Sequence, residues 1–121
     1  MKFFATALSA ISLGAVAVSA APIEKRHSAV ATYFYQGGNP GSCGVTHSDS
    51  DYVVAIPASY HNPDNCFKKI QISHNGKTIE ATIADTCPTC PGMNIDLSVA
   101  AFQALGSMDA GELDVEWAGN W

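Results

Sequence analysis

ADTCPTCPGMNIDLS, residues 84–98, carries the densest information in this chain. Asp85 and Asp96 stand eleven positions apart, with Cys87-Pro-Thr-Cys90-Pro between them and a short helix signal after them. Two carboxylates on either side of such a loop make either a brace for a turn or a polar binding site. Upstream, Phe67 to His74 (FKKIQISH) alternates polar and apolar residues, with Ile70 and Ile72 on one face. His74-Asn75-Gly76-Lys77 follows, and Asn-Gly suits the positive φ angles of a type I′ hairpin turn. Thr78 to Ala84 then returns with Ile79, Ala81 and Ile83 on one face. Downstream, Ser98 to Leu105 (SVAAFQAL) reads as a helix: Ser98 caps it, Val99, Phe102 and Leu105 face a core, and Gly106 ends it.

The rest of the chain adds strand signals. Ala29 to Tyr35 (AVATYFY) is rich in β-branched and aromatic residues, and with Phe34 in the core both Tyr33 and Tyr35 would face out. Gln36 to Gly44 is a glycine-rich loop, Asp51 to Ile56 a short strand, and Pro57 to Asn62 a single helical turn. Leu113 to Trp117 reads as a last strand, with Trp117 in the core. Five or six short strands and one helix predict a mainly β protein, a compact barrel.

The 121 residues divide into three parts. Lys2, an apolar run from Phe3 to Val18 and small residues to Ala20 predict a secretory signal peptide over residues 1–20. Residues 21–26 end in Lys25-Arg26, read either as a dibasic processing site or as a mildly charged terminus. Residues 27–121 then form one small domain that gains from cross-links. Its four cysteines, Cys43, Cys66, Cys87 and Cys90, predict two disulfides with three possible pairings. A zinc site is disfavoured where thiols oxidise, and Pro91-Gly92 after Cys90 disfavours a redox motif at a helix start. The domain keeps three lysines against ten acids, a net charge of −7. That charge disfavours nucleic acid, anionic membranes and polyanionic glycans, and leaves neutral glycans unpenalised. His27, His47, His61 and His74 are scattered and read as surface residues rather than a copper site, so no metal and no cofactor are expected.

ATYFY, then GSCG, then a hairpin ending in IADTC, then NIDLSVAAF, in that order and spacing, resemble the double-psi β-barrel domains. These include the expansins, the fungal loosenins, the rare lipoprotein A proteins and one group of cellulases. The resemblance spans residues 29–118 and looks nearest to the single-barrel loosenins. It implies a six-stranded double-psi β-barrel with one or two short helices, and disulfides Cys43–Cys66 and Cys87–Cys90. It also implies a shallow groove in which Asp96 is the main functional acid and Asp85 lies beside it. Thr32 would orient Asp96 and Tyr33 would contribute to the groove. Asn94 and Ile95 depart from the His and Phe of expansins. The related cellulases carry a second carboxylate just after the first-strand aromatic, whereas this chain reads Tyr33-Phe34-Tyr35-Gln36-Gly37. Inverting hydrolysis needs an acid and a separate base, so hydrolysis is not expected.

The resemblance therefore implies a secreted, monomeric protein that binds and loosens a neutral cell-wall polysaccharide (cellulose, chitin or β-glucan) without cutting it. Two alternatives stand beside it. Lytic transglycosylase chemistry, as in some rare lipoprotein A proteins, needs no water-activating base. Cysteine-protease inhibition, or action as a host-directed effector, works instead by protein contact through loops, as in some single barrels. Each residue also has a plain structural role available. Asp96 can cap the turn into the helix, Asp85 can tie down the loop that follows its strand, and Thr32 can serve as a strand former.

Overall fold

The computed structural model describes residues 26–60 and 62–119. The predicted signal peptide over residues 1–20, the segment through Lys25, His61 and Trp121 lie outside the described residues. The strands are β1 (His27–Phe34), β2 (Val53–Pro57), β3 (Lys69–His74), β4 (Lys77–Cys87), β5 (Ile95–Ser98) and β6 (Leu113–Gly119), with one helix, α1 (Val99–Leu105). They close into a barrel in the order β1-β5-β2-β4-β3-β6, the mainly β architecture expected. Two pairings are parallel, β1 with β5 and β2 with β4, and the others are antiparallel.

Alternation fills the interior. Ile70 and Ile72 of β3 and Ala81 and Ile83 of β4 are buried as expected, joined by Val54, Ile56, Ile95, Leu97 and Val115. The β3–β4 turn has Asn75 at φ 48° and Gly76 at φ 85°, the left-handed pair that a type I′ turn requires. Trp117 is buried, and its indole N–H donates to the Met93 carbonyl at 2.8 Å.

Several expectations change. Ile95–Ser98 is a strand, where the sequence suggested only a turn into the helix; its four residues pair with β1 on one side and β2 on the other. β4 runs past Ala84 to Cys87 because its last residues pair with β2, across a bulge at Val54/Ala55. Pro57 ends β2 opposite Cys87, the Tyr60 N–H closes a single turn on the Pro57 carbonyl at 2.9 Å, and a 3-10 helical turn follows at Pro63–Asn65. There Asn62 accepts the Asp64 N–H at 2.9 Å and Pro63 fills the first position. In α1 the buried face is Ala101, Phe102 and Leu105, while Val99 is only half-buried. Gly106 ends α1 in extended backbone, and its small size is what matters: a Cβ there would meet Leu113 Cδ2 at 2.8 Å. On β1 Ala31 is the fully buried residue, so Tyr33 rather than Phe34 packs against the core.

Ser98 fastens this assembly. Its hydroxyl donates to the Asp51 carbonyl at 2.6 Å and accepts the N–H groups of Val53 (3.2 Å) and Ala101 (3.4 Å). One fully buried oxygen thus joins the loop before β2, the end of β5 and the start of α1. Ser98→Ala leaves buried backbone groups without a partner and is expected to lower unfolding free energy by about 2 kcal/mol, read from urea denaturation.

Candidate functional site

The registers place the two acids. Ala55 of β2 is paired with Asp85 of β4 on one side and with Asp96 of β5 on the other, and Asp96 is paired with Thr32 of β1. Paired residues share a sheet face, so Asp85, Ala55, Asp96 and Thr32 stand in one row across four strands. Two strand spacings put the Cα atoms of the acids roughly 10 Å apart. The methyl group of Ala55 keeps the ground between them low.

The two carboxylates are held differently. Asp85 Oδ1 accepts the N–H groups of Ser42 and Thr86, both at 2.8 Å, so this acid braces the glycine-rich loop against β4. Gly41 makes that approach possible, because a Cβ there would overlap the Ala84 carbonyl oxygen and crowd Asp85 Cβ at 3.1 Å. The Ser42 and Thr86 hydroxyls meet at 2.8 Å over the same contact. Asp96 receives no backbone N–H among the described residues. Its Oδ1 accepts the Thr32 hydroxyl at 2.9 Å, and the carboxylate is half-buried. Burial pushes its pKa above the ordinary value of 3.8; the Thr32 hydrogen bond opposes that shift and the Asp85 charge adds to it.

Thr32, Asp96 and Asp85 therefore come together. Tyr33 does not join them: it lies on the opposite face of β1, half-buried, with its ring 4.9 Å edge-on from Phe102. Tyr35, 6.2 Å from Tyr33, is the aromatic that this stretch offers to solvent, at 66% exposure. The disulfides are Cys43–Cys66 and Cys87–Cys90, so one tethers the glycine-rich loop and the other closes the loop after Asp85.

One carboxylate escaped sequence reading. Asp49 Oδ1 accepts the Gln36 N–H at 2.7 Å, so an acid does stand at the end of β1, brought from a loop thirteen residues away. No local signal links Asp49 to Gln36, since only folding of the 48–51 loop against α1, with Ala100 N–H donating to the Asp49 carbonyl at 3.1 Å, brings it there.

The family model described as Lytic transglycolase matches residues 27–117. A papain inhibitor of Streptomyces mobaraensis is 37% identical across 97% of this chain and 91% of its own length. The solved Streptomyces papain inhibitor superposes with a TM-score of 0.70 at 35% identity, covering 82% of this chain and 97% of that one. The apo expansin of Clavibacter michiganensis superposes with a TM-score of 0.70 at 27% identity, covering 78% of this chain and half of that one.

The raised Asp96 pKa has a definite sign for stability. The folded state holds the Asp96 proton more tightly than the unfolded chain, so ionising this group costs stability. The cost is absent below about pH 3.8 and grows as pH rises through the raised folded value. Asp96→Asn keeps an acceptor for Thr32 and removes the charge. Its melting temperature at pH 7 is expected to equal or exceed that of the parent by a few degrees, with the difference closing near pH 3, measured by calorimetry across that range.

Proposed function

Because this chain belongs to the double-psi β-barrel family described as Lytic transglycolase, with an expansin-like barrel, we propose that it is an extracellular protein that binds a neutral cell-wall glycan without cutting it. The observation that carries this reading is the Thr32–Asp96 pair, a carboxylate kept half-buried at a cost and left without backbone donors among the described residues. Thr32 fixes one oxygen of Asp96, which orients the other for a sugar hydroxyl. Asp85, two strands away, supplies a second acceptor for the same chain. Such contacts compete with the hydrogen bonds that hold wall polymers together, which loosens them. The acidic surface suits cellulose, chitin or β-glucan better than a charged polymer. The two disulfides suit an oxidising compartment.

Pull-down on cellulose, chitin and β-glucan, with reducing ends measured alongside, tests the proposal. Binding is expected to fall about tenfold in Asp96→Asn, with no new reducing ends. Release of soluble fragments that carry anhydro ends would identify a transglycosylase, and an absence of binding to all three polymers would overturn the reading.

A second reading, inhibition of a cysteine protease, is favoured by one observation beside the near full-length likeness to the papain inhibitor. Phe67 is 51% exposed although its φ is +69°, a backbone state unfavourable for a bulky side chain by about 1–2 kcal/mol. It is held there by its N–H to the Ile83 carbonyl at 2.8 Å and by the neighbouring Cys43–Cys66 bridge. Val45, also exposed, lies just beyond Cys43 on the bridged loop, so an apolar surface is built at strain where burial does not repay it. Under this reading Phe67→Gly raises thermal stability while weakening papain inhibition by tenfold or more in a fluorogenic peptide assay. Full inhibition by that variant would remove Phe67 from the contact.

A further inference from the structure

A cleft of about 680 Å³ opens on the outer side of the barrel beyond the Thr32–Asp96 pair, within the size range of small-ligand sites. It is lined by Ser28 and Val30 of β1, Asp114 and Glu116 of β6, His74 at the hairpin and Asn94 just before β5. We propose that this cleft continues the Asp96 site and takes further units of the same neutral glycan chain, an inference that rests on the reading above.

The continuity follows from strand geometry. Val30 and Thr32 are two residues apart on β1 and so share a face, and Asn94 precedes Asp96 by the same step. Each step is roughly 7 Å, so the cleft begins where the Thr32–Asp96 pair ends. Asn94 joins the two halves: its Oδ1 accepts the Val30 N–H at 2.9 Å, on the edge of β1 that β5 does not reach.

The polar groups there suit a polyol. Asn94 spends its carbonyl oxygen on Val30, which leaves its amide N–H₂ as a donor without a partner among the described residues. His74 Nδ1 lies 2.7 Å from the Asp114 carbonyl, which can only accept, so Nδ1 carries the proton. In the neutral ring Nε2 is then an acceptor without a partner among the described residues. Ser28 adds an exposed hydroxyl that can do either. Among the described residues no lysine or arginine lines the cleft, and Asp114 and Glu116 repel an anionic ligand. Mixed donors and acceptors without a cation recognise hydroxyls rather than phosphate or uronate groups.

The test is calorimetric titration of the folded protein with disaccharides and hexasaccharides of cellulose and chitin, with amide NMR shifts followed in parallel. The hexasaccharide is expected to bind about tenfold more tightly than the disaccharide and to shift the amides of Val30 and Asn94 together with those of Thr32 and Asp96. Ser28→Tyr fills the cleft with a good strand former, and Asn94→Asp keeps the acceptor for Val30 while deleting the donor. Each is expected to bring hexasaccharide affinity to within about twofold of the disaccharide, leaving disaccharide binding unchanged. If both variants keep the length dependence while Asp96→Asn weakens disaccharide and hexasaccharide binding alike, the extended groove is wrong and the Asp96 site stands. If the parent protein binds neither sugar, the groove and the glycan reading fall together.

Discussion

Four residues of parallel pairing between β1 and β5 hold the rest of this molecule in place. The register Ala31↔Ile95, Thr32↔Asp96, Tyr33↔Leu97 and Phe34↔Ser98 joins segments more than sixty residues apart. It sends Ala31, Ile95 and Leu97 into the core and Thr32 with Asp96 to the other face. A slip of one residue would exchange those faces, burying a carboxylate and exposing the apolar set. The Ser98 hydroxyl, at the end of this register, fixes the start of α1 and the entry to β2 with the same oxygen. Barrel closure and the position of the acid are thus one geometric fact.

The two aspartates show how a small domain divides structural and chemical roles between like residues. Asp85 accepts two backbone N–H groups, the arrangement that makes a carboxylate a loop brace. Among the described residues Asp96 receives a single side-chain hydroxyl, and it remains half-buried, with burial and the Asp85 charge both disfavouring its ionised form. A residue that costs the fold and gives it only one side-chain hydrogen bond is a candidate for function on physical grounds. Phe67 follows the same logic with backbone strain in place of desolvation.

The two features are joined through Asp85. The acid row crosses β4-β2-β5-β1, and its Asp85 end accepts the Ser42 N–H, one residue before the Cys43–Cys66 bridge beside Phe67. The Phe67 N–H in turn donates to the carbonyl of Ile83, two residues before Asp85. One barrel can carry a polar strip on its strands and an apolar contact on a neighbouring loop, and its structural relatives include both an expansin and a papain inhibitor.

Local physics made much of this readable in the chain. The β3–β4 hairpin follows from Asn75-Gly76 and strict alternation, the helix start from Ser98, and the burial of Trp117 from its place in an alternating last strand. Motif order was enough to suggest the barrel, both disulfides and the pairing of Thr32 with Asp96. β5 was not legible, because four residues carry no usable period and the strand exists only through its two neighbours. The inward turn of Tyr33 depended on which residues β6 and α1 pressed against β1, and the arrival of Asp49 at Gln36 on a loop folding against α1. Spacing and turn chemistry act within a few residues, so the sequence alone determined the elements. Which groups meet across sixty residues is set by the register of closure, and that was decided only by the tertiary structure.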